Sequence, residues 1–239
     1  MQKFKSIFSI FLAFFAVSIM NAANESVQDS SAKYYYSAKV RKPWDLEYIV
    51  GLSVSHLPSI VVEEEISQSP MLILGARMGL PYNLDFALSF QSNYIANYGL
   101  SELYWNLIDN KFSLSFGAKF AMWFGHLEMD AIHLKSYGGI LYPTVKMSYD
   151  FDKYVISSEL ESQHSQMTTS SEDEILGTLR EPSAGYAVRF TIEQPLWDNQ
   201  IVALSLKLNY AKFYYQSWLS FTTIDEYLFY PEILFAFEL

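Results

Sequence analysis

The sequence predicts an all-β chain: a transmembrane antiparallel up-and-down β-barrel of about ten strands, with eight and twelve as the alternative counts. Three observations carry this. Beyond residue 43, apolar residues alternate with small or polar ones at a period of two. Short turn-forming connections alternate with connections that are mostly longer and polar. And 17% aromatic residues coexist with a mean hydropathy of only +0.07, the balance that such alternation produces.

Composition excludes several other classes. The 239 residues suit one domain or one barrel. A chain 51% hydrophobic, with 18 Tyr and 18 Phe, is not disordered. The 26 acidic residues outnumber 16 basic ones, and a pI near 4.8 argues against nucleic acid as a partner. With no cysteine there is no disulfide framework and no cysteine-ligated metal.

The first element is a targeting segment. Lys3 and Lys5 precede an apolar run from Ile7 to Met20, and Asn21-Ala22-Ala23 follows, the layout of a secretory signal peptide over residues 1–23. Cleavage is expected after Ala22 or Ala23. The run is shorter than the ~20 residues of a spanning helix, and no later stretch is apolar enough to be one. Loss of Lys3 and Lys5 takes the charge from −10 to −12. Residues 24–43 start polar, then carry Tyr34-Tyr35-Tyr36, Lys33, Lys39, Arg41 and Lys42 before Pro43. They read as an N-terminal leader to the barrel at 44–239, with contact to anionic headgroups or peptidoglycan as an alternative role.

Ten strands follow, at about 44–56, 71–80, 85–95, 101–108, 111–124, 139–150, 154–164, 185–194, 200–215 and 226–239. The alternation is clearest where Phe112, Leu114, Phe116, Ala118, Phe120, Met122 and Phe124 oppose Ser113, Ser115, Gly117, Lys119 and Ala121. A helix would space its apolar residues by three and four. Tight turns are expected at Pro81–Leu84, Asp109-Asn110, 151–153 and 195–199, and connections at 57–70, 96–100, 125–138, 165–184 and 216–225. Pro143 and Pro231 fall inside strands, where each removes a ladder donor, so a bulge or a frayed end is expected at both.

The apolar face is expected to point outward. So many Phe, Leu and Tyr would overfill the inside of a barrel of this size, whereas Gly, Ala, Ser and Thr suit a narrow lumen. Aromatics gather near both strand ends: Trp44, Phe86, Phe112, Tyr149, Tyr154 and Trp197 at the turn end, and Tyr94, Phe124, Tyr186, Tyr214, Trp218 and Tyr227 at the other, as two interfacial girdles would. The last strand, with Ile233, Phe235, Phe237 and Leu239 on one face, resembles the C-terminal strand of bacterial outer-membrane β-barrel proteins, of the small OmpA/OmpX-like or omptin-sized class. It departs from them in ending on Leu239 where an aromatic is usual. The resemblance implies an outer-membrane location with both termini in the periplasm. It also implies contact with outer-membrane lipid and lipopolysaccharide, and recognition of the last strand by the barrel-assembly machinery.

Candidate functional residues fall into three groups. Ten inward charges pair by strand order: Glu47 with Arg77, Glu102 with Lys119, Lys146 with Glu159, Glu161 with Arg189, and Lys207 with Glu232. They read as a structural plug of salt bridges or as the lining of a narrow conduit. His126, Glu128, Asp130 and His133 are candidate metal ligands on one connection, though in no recognised spacing. Glu161, His164 and Ser165 are the candidates for a rim hydrolase, a protease or lipid A-modifying enzyme, although adjacent strand residues such as His164 and Ser165 should face apart. The expected function is that of an outer-membrane barrel with a salt-bridged lumen and acidic outer loops, in a structural, surface-interaction or narrow-channel role. It is not expected to be catalytic, and it needs no cofactor.

Overall fold

A computed structural model describes residues 34–58, 60, 68–93, 96–129, 132–171, 174–196, 200–212 and 226–239. The expected signal peptide lies outside them, as do Tyr94, Asp130, Trp197, Tyr214 and Trp218. The described residues form ten strands and no helix: β1 (Leu46–His56), β2 (Gln68–Leu80), β3 (Leu84–Ser92), β4 (Ala96–Asp109), β5 (Phe112–Met129), β6 (Ile132–Asp150), β7 (Val155–Ser171), β8 (Glu174–Pro195), β9 (Ile201–Lys212) and β10 (Tyr227–Glu238). Each pairs antiparallel with its neighbours in sequence, and β10 pairs with β1 to close the barrel.

The alternation resolves into two faces as expected. On β5, Ser113, Ser115 and Lys119 are buried in the lumen, while Phe112, Phe116, Phe120 and Phe124 are exposed on the outside. The same holds around the wall, where Leu52, Leu74, Phe90, Trp105, Leu141, Leu160 and Phe190 all face outward and exposed. Buried apolar side chains collect inside the barrel instead, in three clusters.

Local chemistry explains the tight turns. Between β2 and β3, where Leu80 pairs with Leu84 across the three residues 81–83, Tyr82 and Asn83 both have positive φ (66° and 60°). Asn tolerates this conformation well and Tyr less so. Between β6 and β7, Asp152 has φ 67°, and its N–H donates to Asp150 Oδ1 at 2.7 Å.

Three expectations are corrected. Residues 96–100, expected as a connection, open β4, with Gly99 between Phe90 and Met122. The expected connections 125–138 and 165–184 are largely strand. Gly125–Met129 pairs with Ile132–Ser136, and Ser165–Ser171 pairs with both β6 and β8. The physical reason is common to these two. Where a strand carries too few apolar residues on either face, as along Gln166-Met167-Thr168-Thr169-Ser170, no apolar stripe remains to reveal the period, while Thr still favours extended backbone.

The prolines behave differently from expectation too. Pro143 sits opposite Ala118 and Pro231 opposite Leu208 with the register unbroken. On the β7 side of Pro143 the ladder skips from Leu141↔His164 to Thr144↔Glu161 and resumes in the same register. A missing donor removes hydrogen bonding without displacing the chain. The register shifts lie elsewhere, at Asn106/Ile108, Gln163/Ser165 and Thr169/Ser170.

Candidate functional site: the barrel lumen

The stretch expected as a leader is, from Tyr34 on, packed inside the barrel. Tyr34, Tyr35, Tyr36, Ser37, Ala38 and Arg41 are all buried. Two lumen-facing glycines on β2 make room for it. A Cβ on Gly75 would lie 2.7 Å from the Tyr35 hydroxyl, and one on Gly79 would lie 2.3 Å from the Lys42 carbonyl oxygen. The rings of Tyr35 and Tyr36 meet edge to face, centroids 5.1 Å apart, and pack on Ile49, Ile73, Ala203, Leu234 and Ala236 of the wall.

Side chains of the wall hold this segment by its backbone. The Tyr35 N–H donates to Glu238 Oε2 at 3.0 Å, the Tyr36 N–H to Glu193 Oε1, and the Ala38 N–H to Ser148 Oγ at 2.7 Å. Arg77 donates in return to the carbonyls of Tyr35 and Ser37, the latter at 2.9 Å. Arg41 then anchors the far end of the segment, its Nε 2.6 Å from Glu47 Oε2 and its Nη1 3.6 Å from Asp85 Oδ1. Asp85, with no exposed surface, also binds Arg77 Nη2 at 3.1 Å and accepts from Asn106 Nδ2 at 2.6 Å. Nearby, Tyr34 packs on Val155 and Ile201. Burial, and then the carboxylates of Asp150, Glu193 and Glu238, push its phenol above the usual range.

A second layer of charge lies above the segment. Lys119 binds both Glu159 and Glu161, the latter at 3.0 Å. Lys207 also binds Glu161. Lys146 and Arg189 approach Glu159 at 3.6 and 4.0 Å. The Tyr104 hydroxyl donates to Glu159 at 3.5 Å, and the Lys146 ammonium lies 4.2 Å from the centre of the Tyr104 ring. Four cations thus converge on two carboxylates. A third layer, nearer the loop end, is apolar: Trp123, Met167, Ile140, Ala121 and Ala184 are buried together, with Tyr98, Tyr142, Leu100 and Leu179 packed against them.

The pairing expected from strand order differs from these contacts. Glu47 and Arg77 are in register, as are Glu102 and Lys119, and Lys207 and Glu232. Yet Glu47 binds Arg41, Lys119 turns to Glu159 and Glu161, Lys207 goes to Glu161, and Arg189 reaches Glu159. Lys146 with Glu159 is the expected pair that the geometry forms. Long side chains inside a narrow tube reach across it as easily as along its wall, so strand order does not fix their partners. Asp85, Glu193 and Glu238 were missed although they lie within the expected strands 85–95, 185–194 and 226–239, at or near their ends. Their parity gave the signal: each lies two residues from a lumen-facing neighbour, Ala87, Thr191 and Ala236. Arg41 stands outside any strand and carried no such signal.

The hydrolase candidates are not brought together. Glu161 is buried in the ion network, Ser165 is buried on the inner face, and His164 is exposed. The His164 ring bonds Ser162 Oγ at 3.3 Å through Nε2 and the Pro182 carbonyl through Nδ1. Of the metal candidates, His126 is exposed, while the side chains of Glu128, Asp130 and His133 lie outside the described residues. Among the described residues no three potential ligands gather.

No family model and no curated protein matches the chain. Its fold is similar to several solved structures. They include CdiB from Acinetobacter baumannii, with 10% identity and a TM-score of 0.33, matched over 69% of this chain and 31% of that one. They also include Ail, the attachment invasion locus protein of Yersinia pestis, with 11% identity and a TM-score of 0.37, over 83% of this chain and 100% of that one. A mutant of Rh. blastica porin has 7% identity and a TM-score of 0.25, over 82% of this chain and 99% of that one. The chain thus spans less than a third of CdiB.

Proposed function

We propose that this chain is an integral outer-membrane β-barrel protein with a closed lumen, acting at the cell surface through its loop-end hairpins rather than as a channel. The closed lumen carries the reading. The segment 34–42, the ion network around Glu159 and Glu161, and the apolar layer around Trp123 fill the tube in succession.

The exterior supports a bilayer setting. Tyr149 and Tyr137 both face outward on β6, twelve residues apart. That is about 40 Å of strand, or about 30 Å along the axis of a barrel with strands tilted by about 40°. At the turn end Phe151 stacks on Tyr154 (5.0 Å) and meets Tyr149 at a tilt (4.7 Å), and Tyr210 stacks on Tyr227 at the other (5.3 Å). So large an exposed apolar belt is incompatible with water on all sides. The signal peptide at 1–23 supplies the export route, lipopolysaccharide and phospholipid cover the belt, and the final strand ending at Leu239 addresses the assembly machinery.

The hairpins supply the surface. A transmembrane strand needs about 9–11 residues, yet β5, β6, β7 and β8 have 18, 19, 17 and 22. The excess is at the loop end, beyond the last β4–β5 pair at Ala96↔Gly125 and the last β8–β9 pair at Gly185↔Ala211. The deciding experiment is conductance of the refolded, intact protein in planar bilayers. Silence is expected, and stable openings would give the lumen a channel role instead.

A further inference from the structure

We infer that the turn end of the lumen is a peptide-binding site, which residues 34–42 of this chain occupy in cis. The inference rests on the closed-lumen reading and says what kind of ligand closes that end. Three observations carry it.

The segment takes no part in the β-ladders, so the wall is complete without it. Its grip comes from side chains on four strands, β2, β6, β8 and β10, which supply acceptors for three backbone N–H groups and a donor for two carbonyls. This is recognition of a main chain by side chains of the wall, here a chain bent at residues 35–37, the way a receptor holds a peptide.

The wall is also cut to fit. Gly75, Gly79, Ala203 and Ala236 stand on the inner face where the segment passes, and larger side chains at the two glycines would overlap it.

The acceptors, moreover, are a buried pair hydrogen-bonded to each other. Glu193 and Glu238 are buried carboxyl groups, 0% and 4% exposed, and the described structure gives each a backbone N–H of the segment. A site lined in this way takes a bent peptide with free N–H groups. Arg189, lying 5.9 Å from the centre of the Tyr36 ring, favours an aromatic residue. Glu47 and Asp85 favour a base five residues later, where this chain has Arg41.

The test uses the full chain with a protease site inserted between Lys42 and Pro43, cut only after refolding in detergent. The cut segment is then challenged with a fluorescein-labelled synthetic peptide of residues 24–42. Exchange with saturable binding is expected. Peptides N-methylated at Tyr35 and Tyr36, or carrying Arg41→Ala, should bind at least about tenfold more weakly, as loss of charge-assisted hydrogen bonds predicts. A segment that never exchanges while the barrel stays folded overturns the inference, and so does a scrambled peptide that binds equally well.

A second variant is made in the cut protein. Ala38→Cys with Ser148→Cys, in a protein without native cysteine, ties the segment to the wall when oxidised. The labelled peptide should be excluded from the oxidised form, and uptake equal to that of the cut protein with neither substitution overturns the proposal. Conductance of the uncut protein reports separately. A conducting barrel defeats the closed-lumen reading, whereas a silent barrel that binds no peptide defeats only this one.

Discussion

Arg77 and Asp85 form a buried ion pair across the β2–β3 hairpin, with Arg77 Nη2 3.1 Å from Asp85 Oδ2. The pair does more than neutralise two charges. Through Arg77 it reaches the backbone of Tyr35 and Ser37, and through Asp85 it reaches Arg41. Asp85→Asn would leave two guanidinium groups short of a carboxylate in the lumen. It should destabilise the barrel by about 3 kcal/mol or more, measured by urea unfolding in lipid vesicles. A loss below 1 kcal/mol, the scale of an exposed pair, would mean that water solvates this site.

Gly79→Val tests the fit of the segment. The new Cβ would overlap the Lys42 carbonyl, which belongs to the backbone and cannot swing aside. The segment should leave its seat and be cut by trypsin at Lys39 or Arg41, while the barrel keeps its heat-modifiable mobility on gels. Unchanged protection would show that the wall can yield there.

The ion network predicts unequal couplings. A double-mutant cycle between Lys119 and Glu159 should return about 1 kcal/mol or more, and one between Lys119 and Glu102 close to zero, although the second pair is in register. Equal couplings would restore the pairing inferred from strand order.

Pro143→Val should stabilise the barrel by about 1 kcal/mol, because it returns a ladder donor at an unbroken register between β6 and β7. Destabilisation would mean that the wall needs the gap.

How far the sequence could be read differs from element to element. Period two exposed β5 from Phe112 to Phe124 because lipid-facing and lumen-facing positions differ so sharply in chemistry. It lost β7 beyond His164, where Met167 and Thr169 are buried amid residues whose composition no longer tells inside from outside. Parity placed Lys119, Glu159 and Arg189 in the lumen, since the face a strand residue takes is a local property. Which carboxylate Lys119 finds is set across the tube, by distances that no strand encodes. The segment 34–42 was illegible for a related reason. Its backbone is satisfied by Glu193, Glu238 and Ser148, between 110 and 203 residues away.

Those separations bear on the order of events during assembly. The segment precedes β1, yet its seat needs Glu238 on β10, the strand that closes the ring. It can dock only once the last strand has been laid down and the ring has closed. Until then Tyr34, Tyr35 and Tyr36 and the bases around them stay accessible to added protease. Burial of the N-terminal tyrosines therefore marks a finished molecule, and their cleavage marks one stalled on the way.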